Sequence, residues 1–262
     1  LQGWVLLVHG VAEHSGRYLQ VTEALQRAGF GVAAYDARGH GRSAESRPTA
    51  FVEDIATHVD DLGEMFTWMH GQAAGAPCFI LGHSMGALLT LAYLVRQPAD
   101  VAGAVLTGIP WAPMGDVSGP AWWVARLVSQ LLPRLPGARL DSSALSRDPA
   151  EVRRYDEDPL VFRGWLPVRT GVELLQEAHR LRTSPLALAV PLLVMHGTDD
   201  RVAHIEGSRQ LVAALDPNLT TYVECDGLYH EILNEPEGPQ LLAQIVAWLR
   251  QQSESGQPPD GA

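Results

Sequence analysis

The sequence predicts an α/β protein: one mostly parallel sheet, helices on both of its faces, and a mainly helical insertion. Three observations predict it. Short, continuous apolar runs alternate with helical patterns along most of the 262 residues, as buried parallel strands and crossover helices do. Two of those runs lie more than eighty residues apart, far more than one crossover needs. Finally, Gly82-His83-Ser84-Met85-Gly86 sets a serine on a sharp turn between an apolar run and a helical stretch.

The elements follow in order. Trp4 to His9 reads as a strand stopped by Gly10, followed by a helix from about Tyr18 to Ala28 that Gly29 closes. Gly31 to Asp36 is the next strand. Residues 54–70 form an amphipathic helix, with Ile55, Val59, Leu62 and Phe66 on one face. Cys78 to Leu81 leads into the serine turn, and Ala87 to Leu94 into its helix. Val101–Leu106, Pro191–Met195 and Thr220–Glu224 are strands; helices around Gly207–Leu215 and Pro239–Gln251 follow the last two. The expected organisation is a core in two parts, 1–109 and 186–250, a cap or lid insertion over 110–185, and a flexible, linker-like tail over 251–262.

The insertion holds Trp111, Trp122, Trp123 and Trp165, four of seven tryptophans. Ala121 to Leu132 reads as a helix with Val124, Leu127, Val128 and Leu131 on one face, ended by Pro133 and Pro136. That face either packs the cap onto the body or, at the Trp122–Trp123 end, forms an apolar entrance that touches lipid interfaces.

Composition narrows the function. A chain that is 46% hydrophobic is globular and long enough to bury roughly three quarters of its unfolded surface. No apolar run approaches the ~20 residues of a membrane span, and the chain opens on Leu1 with no visible signal peptide. A cytoplasmic or peripherally membrane-associated protein is expected, with a removed leader left open. The formal net charge of −11 argues against nucleic acid as a partner. All nineteen basic residues are arginine, which excludes a P-loop lysine, a Schiff-base lysine and an S-x-x-K nucleophile. Cys78 and Cys225 lie far apart on strands, without metal-ligand spacing, and read as buried thiols.

The pattern G-x-S-x-G between strand and helix is the nucleophile elbow of the α/β-hydrolases, so Ser84 is the candidate nucleophile. A serine hydroxyl needs a base, and the base an orienting acid. In this fold they follow in the order Ser, Asp or Glu, His. His196-Gly197-Thr198-Asp199-Asp200 follows a strand at the sheet edge where ligands bind. Asp200 is the chosen acid and Asp199 its rival. His230 follows the last strand and takes the place of the base; His179, His196 and His204 fit that place less well. The oxyanion hole needs two backbone N–H groups. One is expected from Met85, the other from Val11, after the strand ending at His9-Gly10. No histidine pair has HExxH spacing, so neither metal nor cofactor is expected.

With these residues placed, the chain resembles the monoacylglycerol lipases, within the serine-aminopeptidase-like α/β-hydrolases. The segments that carry the resemblance are HGVAEHSGRY (9–18), DARGHGRS (36–43), GHSMG (82–86), LDSSALSRDPAEVRRYDEDPL (140–160), HGTDDRV (196–202) and GLYHEILNEP (227–236). The resemblance supports Ser84, Asp200 and His230 as triad and Val11 and Met85 as oxyanion donors. It puts Glu13, Arg17 and Tyr155 near the alcohol end of the pocket, where salt bridges that merely hold the loops are the competing reading. It implies a small-molecule lipid substrate, a monoacylglycerol cleaved to fatty acid and glycerol, with transient lipid contact through the cap. The alternatives are a broader carboxylesterase or lysophospholipase, or an inactive scaffold of the same fold.

Overall fold

The computed structural model describes residues 1–96, 98, 100–111 and 119–255. Within them six strands form one sheet: β1 (Gly3–Val8), β2 (Phe30–Ala34), β3 (Cys78–His83), β4 (Val101–Thr107), β5 (Leu192–Gly197) and β6 (Thr220–Cys225). Their order is β2-β1-β3-β4-β5-β6, and all five pairings are parallel. The expected sheet is therefore present, each strand within one or two residues of the stretch that predicts it.

The strands read as continuous apolar runs because both of their faces are covered. Val5, Leu7, Phe79, Leu81 and Val105 face one layer, formed by α1 (Leu19–Arg27) and α8 (Gly238–Ser255). Leu6, Val8, Ile80, Ala104 and Leu106 face the other. There they meet α2 (Ile55–Gln72), α3 (Met85–Val95) and the inner sides of α6 (Val168–Arg182) and α7 (Ile205–Ala213). Asp54 caps α2 by accepting from the Ala56 N–H, which satisfies one of the donors a helix start leaves orphaned. α3 lies inside this layer, and every residue from Met85 to Ala92 is buried.

Between β4 and β5 run α4 (Pro120–Leu131), α5 (Pro149–Glu157) and α6. α6 lends Ala178 and Leu181 to the same core as the sheet, and its Thr170 and Glu173 accept from the backbone N–H groups of Val52 and Ile55. α5 and its flanks form a small separate cluster of Leu145, Tyr155 and Val161. At the C-terminus α8 runs through residues 251–255 of the expected tail; 256–262 lie outside the described residues. No helix among the described residues is long and apolar enough to cross a membrane.

This topology fixes where the site forms. β1 pairs with β3 and β5 with β6, so their carboxyl ends lie along one edge of the sheet. β4 joins the two pairs there: Ser84 N–H donates to Thr107 O at 2.9 Å, and Gly108 N–H to Met195 O at 3.2 Å.

Candidate active site

Ser84 sits at φ +52° and ψ −118°, a left-handed region that costs a non-glycine residue about 1–3 kcal/mol. The two glycines make the turn possible. A Cβ on Gly82 would lie 2.4 Å from Gly86 O, and one on Gly86 would lie 2.0 Å from Val8 O. The Ser84 carbonyl accepts from the Ala87 and Leu88 N–H groups, so α3 begins at once. Met85 is therefore in its first turn, where N–H groups have no intrahelical acceptor and point to the positive end of the helix dipole.

Asp200 and His230 meet through a second glycine contact. A Cβ on Gly197 would lie 2.3 Å from Leu228 O and 2.4 Å from Tyr229 O, so only glycine lets the 228–230 chain cross the end of β5. The Asp199 N–H donates to Leu228 O at 3.0 Å and fixes the crossing. His230 Nδ1 then lies 2.7 Å from Asp200 Oδ2. Asp200 Oδ1 accepts from the Val202 and Ala203 N–H groups at 2.7 and 2.9 Å. Asp200 is buried, whereas Asp199 is exposed. Burial pushes the Asp200 carboxyl up, but His230 and His196 outweigh it and hold the group well below the usual carboxylate range. For His230 burial works against the imidazolium; Asp200, helped by Glu231 and Glu13, overcomes it and raises the pKa.

The loop after β1 completes the cavity. The Ala37 N–H donates to His9 Nε2 at 2.9 Å, so the proton of this neutral ring is on Nδ1, which donates to Gly10 O at 2.7 Å. Burial lowers the His9 pKa, consistent with that neutral form. Gly10 lies so close to the serine that a Cβ there would meet Ser84 Cβ at 3.2 Å. Ala12 takes φ +68°, which turns the chain after Val11. Val11, Ser84, His230 and Tyr155 line one cavity, together with Glu13, Glu231 and the apolar Leu140 and Leu145.

Glu13, Arg17 and Tyr155 are brought together, and with a partner the sequence did not reveal. Arg17 donates bidentately to Glu231, Nη1 to Oε1 at 2.5 Å and Nη2 to Oε2 at 2.7 Å, and its Nη1 also reaches Glu13 Oε2 at 2.8 Å. Glu13 Oε1 accepts from the Gly10 N–H and the Tyr18 hydroxyl. The Arg17 guanidinium lies over the Tyr155 ring, 4.8 Å from its centre. Burial disfavours the Glu231 charge, yet Arg17 brings its pKa down to about 2. Three further neighbours were not anticipated. His83 packs on His230 with ring centres 4.7 Å apart, and burial and His230 push it down to about 4. Asn234 donates to Glu231, and His196 lies 3.0 Å from Asp200. The Glu231 pairing spans 214 positions, so no local pattern announces it.

The segment over the site is tied to the same loop. The Phe162 N–H donates to Ala12 O at 2.8 Å, and His14 Nε2 donates to Asp158 at 2.9 Å. On α4, Trp123, Val124, Leu127 and Leu131 are 56–70% exposed, while Trp122 is half-buried. Of the two tryptophans, then, Trp123 is the one that faces outward. Cys78 and Cys225 are both free and buried.

The model of the family described as serine aminopeptidase, S33, matches residues 1–237. A monoacylglycerol lipase of Mycolicibacterium smegmatis is 38% identical over 251 residues, 95% of this chain and 88% of that one. Human monoglyceride lipase is 32% identical over 261 residues, 95% of this chain and 82% of that one. The crystal structure of Paleococcus ferrophilus monoacylglycerol lipase superposes with a TM-score of 0.84 at 32% identity, covering 96% of this chain and 95% of that one. Sheet order, serine turn and sequence thus agree, and the chain belongs to the serine aminopeptidase, S33, family of α/β-hydrolases and, within it, to the monoacylglycerol lipases.

Proposed function

We propose that this protein is a carboxylic ester hydrolase that cleaves monoacylglycerols to fatty acid and glycerol, with Ser84, His230 and Asp200 as its catalytic triad. The observation that carries the reading is the 2.7 Å hydrogen bond from His230 to Asp200 beside a cavity that Ser84 also lines. Ser84 Oγ attacks the ester carbonyl while His230 Nε2 takes its proton. The Val11 and Met85 N–H groups stabilise the oxyanion of the tetrahedral intermediate. His230 then protonates the leaving glycerol oxygen, which breaks the C–O bond and leaves an acyl-enzyme. Water, deprotonated by His230, attacks the acyl carbon and frees the acid and Ser84. Asp200 holds the imidazole in the tautomer with its proton on Nδ1 and stabilises the imidazolium.

Glu13, Arg17 and Tyr155 lie on the alcohol side in this reading, and their ion pairs also hold the loop of Val11. The cap is the segment between β4 and α6, because α6 shares the core of the body. Contact with lipid interfaces runs through the exposed face of α4 and the adjoining Leu132 and Leu135. Residues 119–140 hold Arg126, Arg134 and Arg139 and no carboxylate, so the acidic charge of the chain does not extend to that face.

A fluorophosphonate probe tests the nucleophile: it labels the wild type at Ser84 and leaves Ser84→Ala unlabelled. Turnover of monoacylglycerols, diacylglycerols, lysophospholipids and short p-nitrophenyl esters tests the substrate. A preference for anything but monoacylglycerol overturns the reading.

A further inference from the structure

Glu13 and Glu231 both line the cavity that holds Ser84 and His230. The guanidinium between them does not. Arg17 opens instead on a second, rear cavity that it shares with Glu231, Tyr18 and Asn234. All three charged side chains are at most 8% exposed. The wall beside the proposed leaving group therefore carries two carboxylates against one cation, a formal charge of −1. No arginine lines the front cavity, and the chain has no lysine.

We infer that the Glu13–Arg17–Glu231 cluster is a charge filter on the leaving alcohol: it admits a neutral polyol and turns away a headgroup that carries phosphate. The inference rests on the ester-hydrolase reading above and concerns the substrate class that site takes. A phosphate entering this buried wall sheds its hydration and needs charged donors in return. Three of the Arg17 donors are already committed, two of them bidentately to Glu231 and the third to Glu13, and the guanidinium does not line the front cavity. A phosphate could use them only by displacing a carboxylate, and it would still face the other one. Like charges set side by side in such a site cost affinity and suppress the wrong ligand. Glycerol hydroxyls meet no such obstacle, since a neutral O–H can donate to the free lone pairs of either carboxylate.

Arg139 and Arg163 lie in an outer cavity beyond Leu140 and Tyr155. Arg163 there donates to the Asp158 carbonyl. A phosphate that reached past Tyr155 to these two would escape the filter, so the test must let that outcome show.

The test compares 1-octanoylglycerol with its 3-phosphate ester, both below their aggregation limits so that interface binding plays no part. The ratio of their kcat/KM values cancels any general loss of catalysis. Wild type is expected to favour the neutral ester by about a hundredfold. Glu231→Gln takes the cluster from −1 to 0 and should narrow the preference by about tenfold, the effect of one nearby charge at modest effective dielectric. Glu13→Gln should narrow it in the same direction even while slowing both esters through the Gly10 loop, and it decides the matter if Glu231→Gln does not fold. Asp226→Asn, which removes an exposed carboxylate outside the cavity, should leave the ratio alone. Equal rates in wild type, or an unchanged ratio in the Glu variants, overturn the filter. If wild type cleaves neither ester, the ester-hydrolase reading itself fails and the filter falls with it.

Discussion

His196 and His230 hold the same oxygen of one carboxylate: Asp200 Oδ2 lies 3.0 Å from His196 Nε2 and 2.7 Å from His230 Nδ1. The Ser208 hydroxyl lies 2.5 Å from His196 Nδ1, and His196 Nε2 is also 2.6 Å from Ala203 O. With Ser208 donating to Nδ1, the His196 proton is on Nε2 and is shared between Ala203 O and Asp200. His196→Asn should cost about 2 kcal/mol of stability, as losing a buried hydrogen bond to a charged group does. It should also lower kcat by about tenfold, since Asp200 would hold the base less firmly. Unchanged kcat in a protein of lowered melting temperature would reduce His196 to a packing residue.

The pH dependence follows from the direction of the His230 shift. In the proposed mechanism only the neutral imidazole acts as base, and its pKa is raised from its ordinary value, chiefly by Asp200. So kcat/KM should fall as pH drops through a single ionisation lying above 6.5. Asp200→Asn removes the group that raises it and leaves burial, which lowers it; the acid limb should move to lower pH. Its plateau should drop by about 10⁴, as loss of the correct tautomer does. Stability runs the other way for the two partners. The raised His230 contributes below pH 6.5 and its contribution is lost as pH rises through the folded value. The depressed Asp200 contributes above 3.8 and is lost as pH falls through its folded value. A pH–rate profile of wild type and Asp200→Asn checks the sign; an acid limb that does not move removes Asp200 from its role.

Gly86 is the least replaceable residue of the serine turn. A Cβ there would sit 2.0 Å from Val8 O, and also 2.7 Å from His9 O. Both are backbone atoms, at the end of β1 and just after it, and cannot step aside as a flexible side chain could. Gly86→Ala should therefore cost about 3 kcal/mol or more and disturb the strand that leads to Val11. Denaturant unfolding measures it; Gly71→Ala, where an added Cβ meets nothing within 4 Å, is the control and should be neutral or slightly stabilising.

What the sequence made legible here is what short-range sterics dictate. The serine turn could be read because two glycines four residues apart answer to two backbone clashes. Asp200 and His230 could be placed at one sheet edge because each follows a strand of recognisable apolar pattern, and the structure brings them to 2.7 Å. Glu231 could not be: it stands beside His230 in sequence, but its meaning comes from Arg17, on another element, and from burial. His196 was passed over because it precedes the acid in the chain, although space brings it onto Asp200. α6 looked like cap because it lies in the long interval, and only its contacts with the sheet core and α2 tie it to the body. For α4, amphipathic periodicity identified the helix but not what its apolar face meets.

Trp123, Val124, Leu127 and Leu131 are 63%, 61%, 56% and 70% exposed, so they contribute little to holding the fold, while α4 meets α6 on its other side. An apolar face left open costs solubility and finds a use where lipid covers it. Trp123→Ser, Leu127→Ser and Leu131→Ser combined should shift the melting temperature little, because exposed substitutions mostly stay within about 0.5 kcal/mol each. The same change should weaken association with liposomes by at least about tenfold, since each side chain would otherwise bury apolar area in the acyl region. Turnover of long-chain, aggregated monoacylglycerol should fall with it, and turnover of a soluble butyrate ester should hold, because Ser84, His230 and the Val11 loop are untouched. A triple variant that melts early and slows on both esters alike would mean the face packs within the protein, and lipid contact would have to be sought elsewhere.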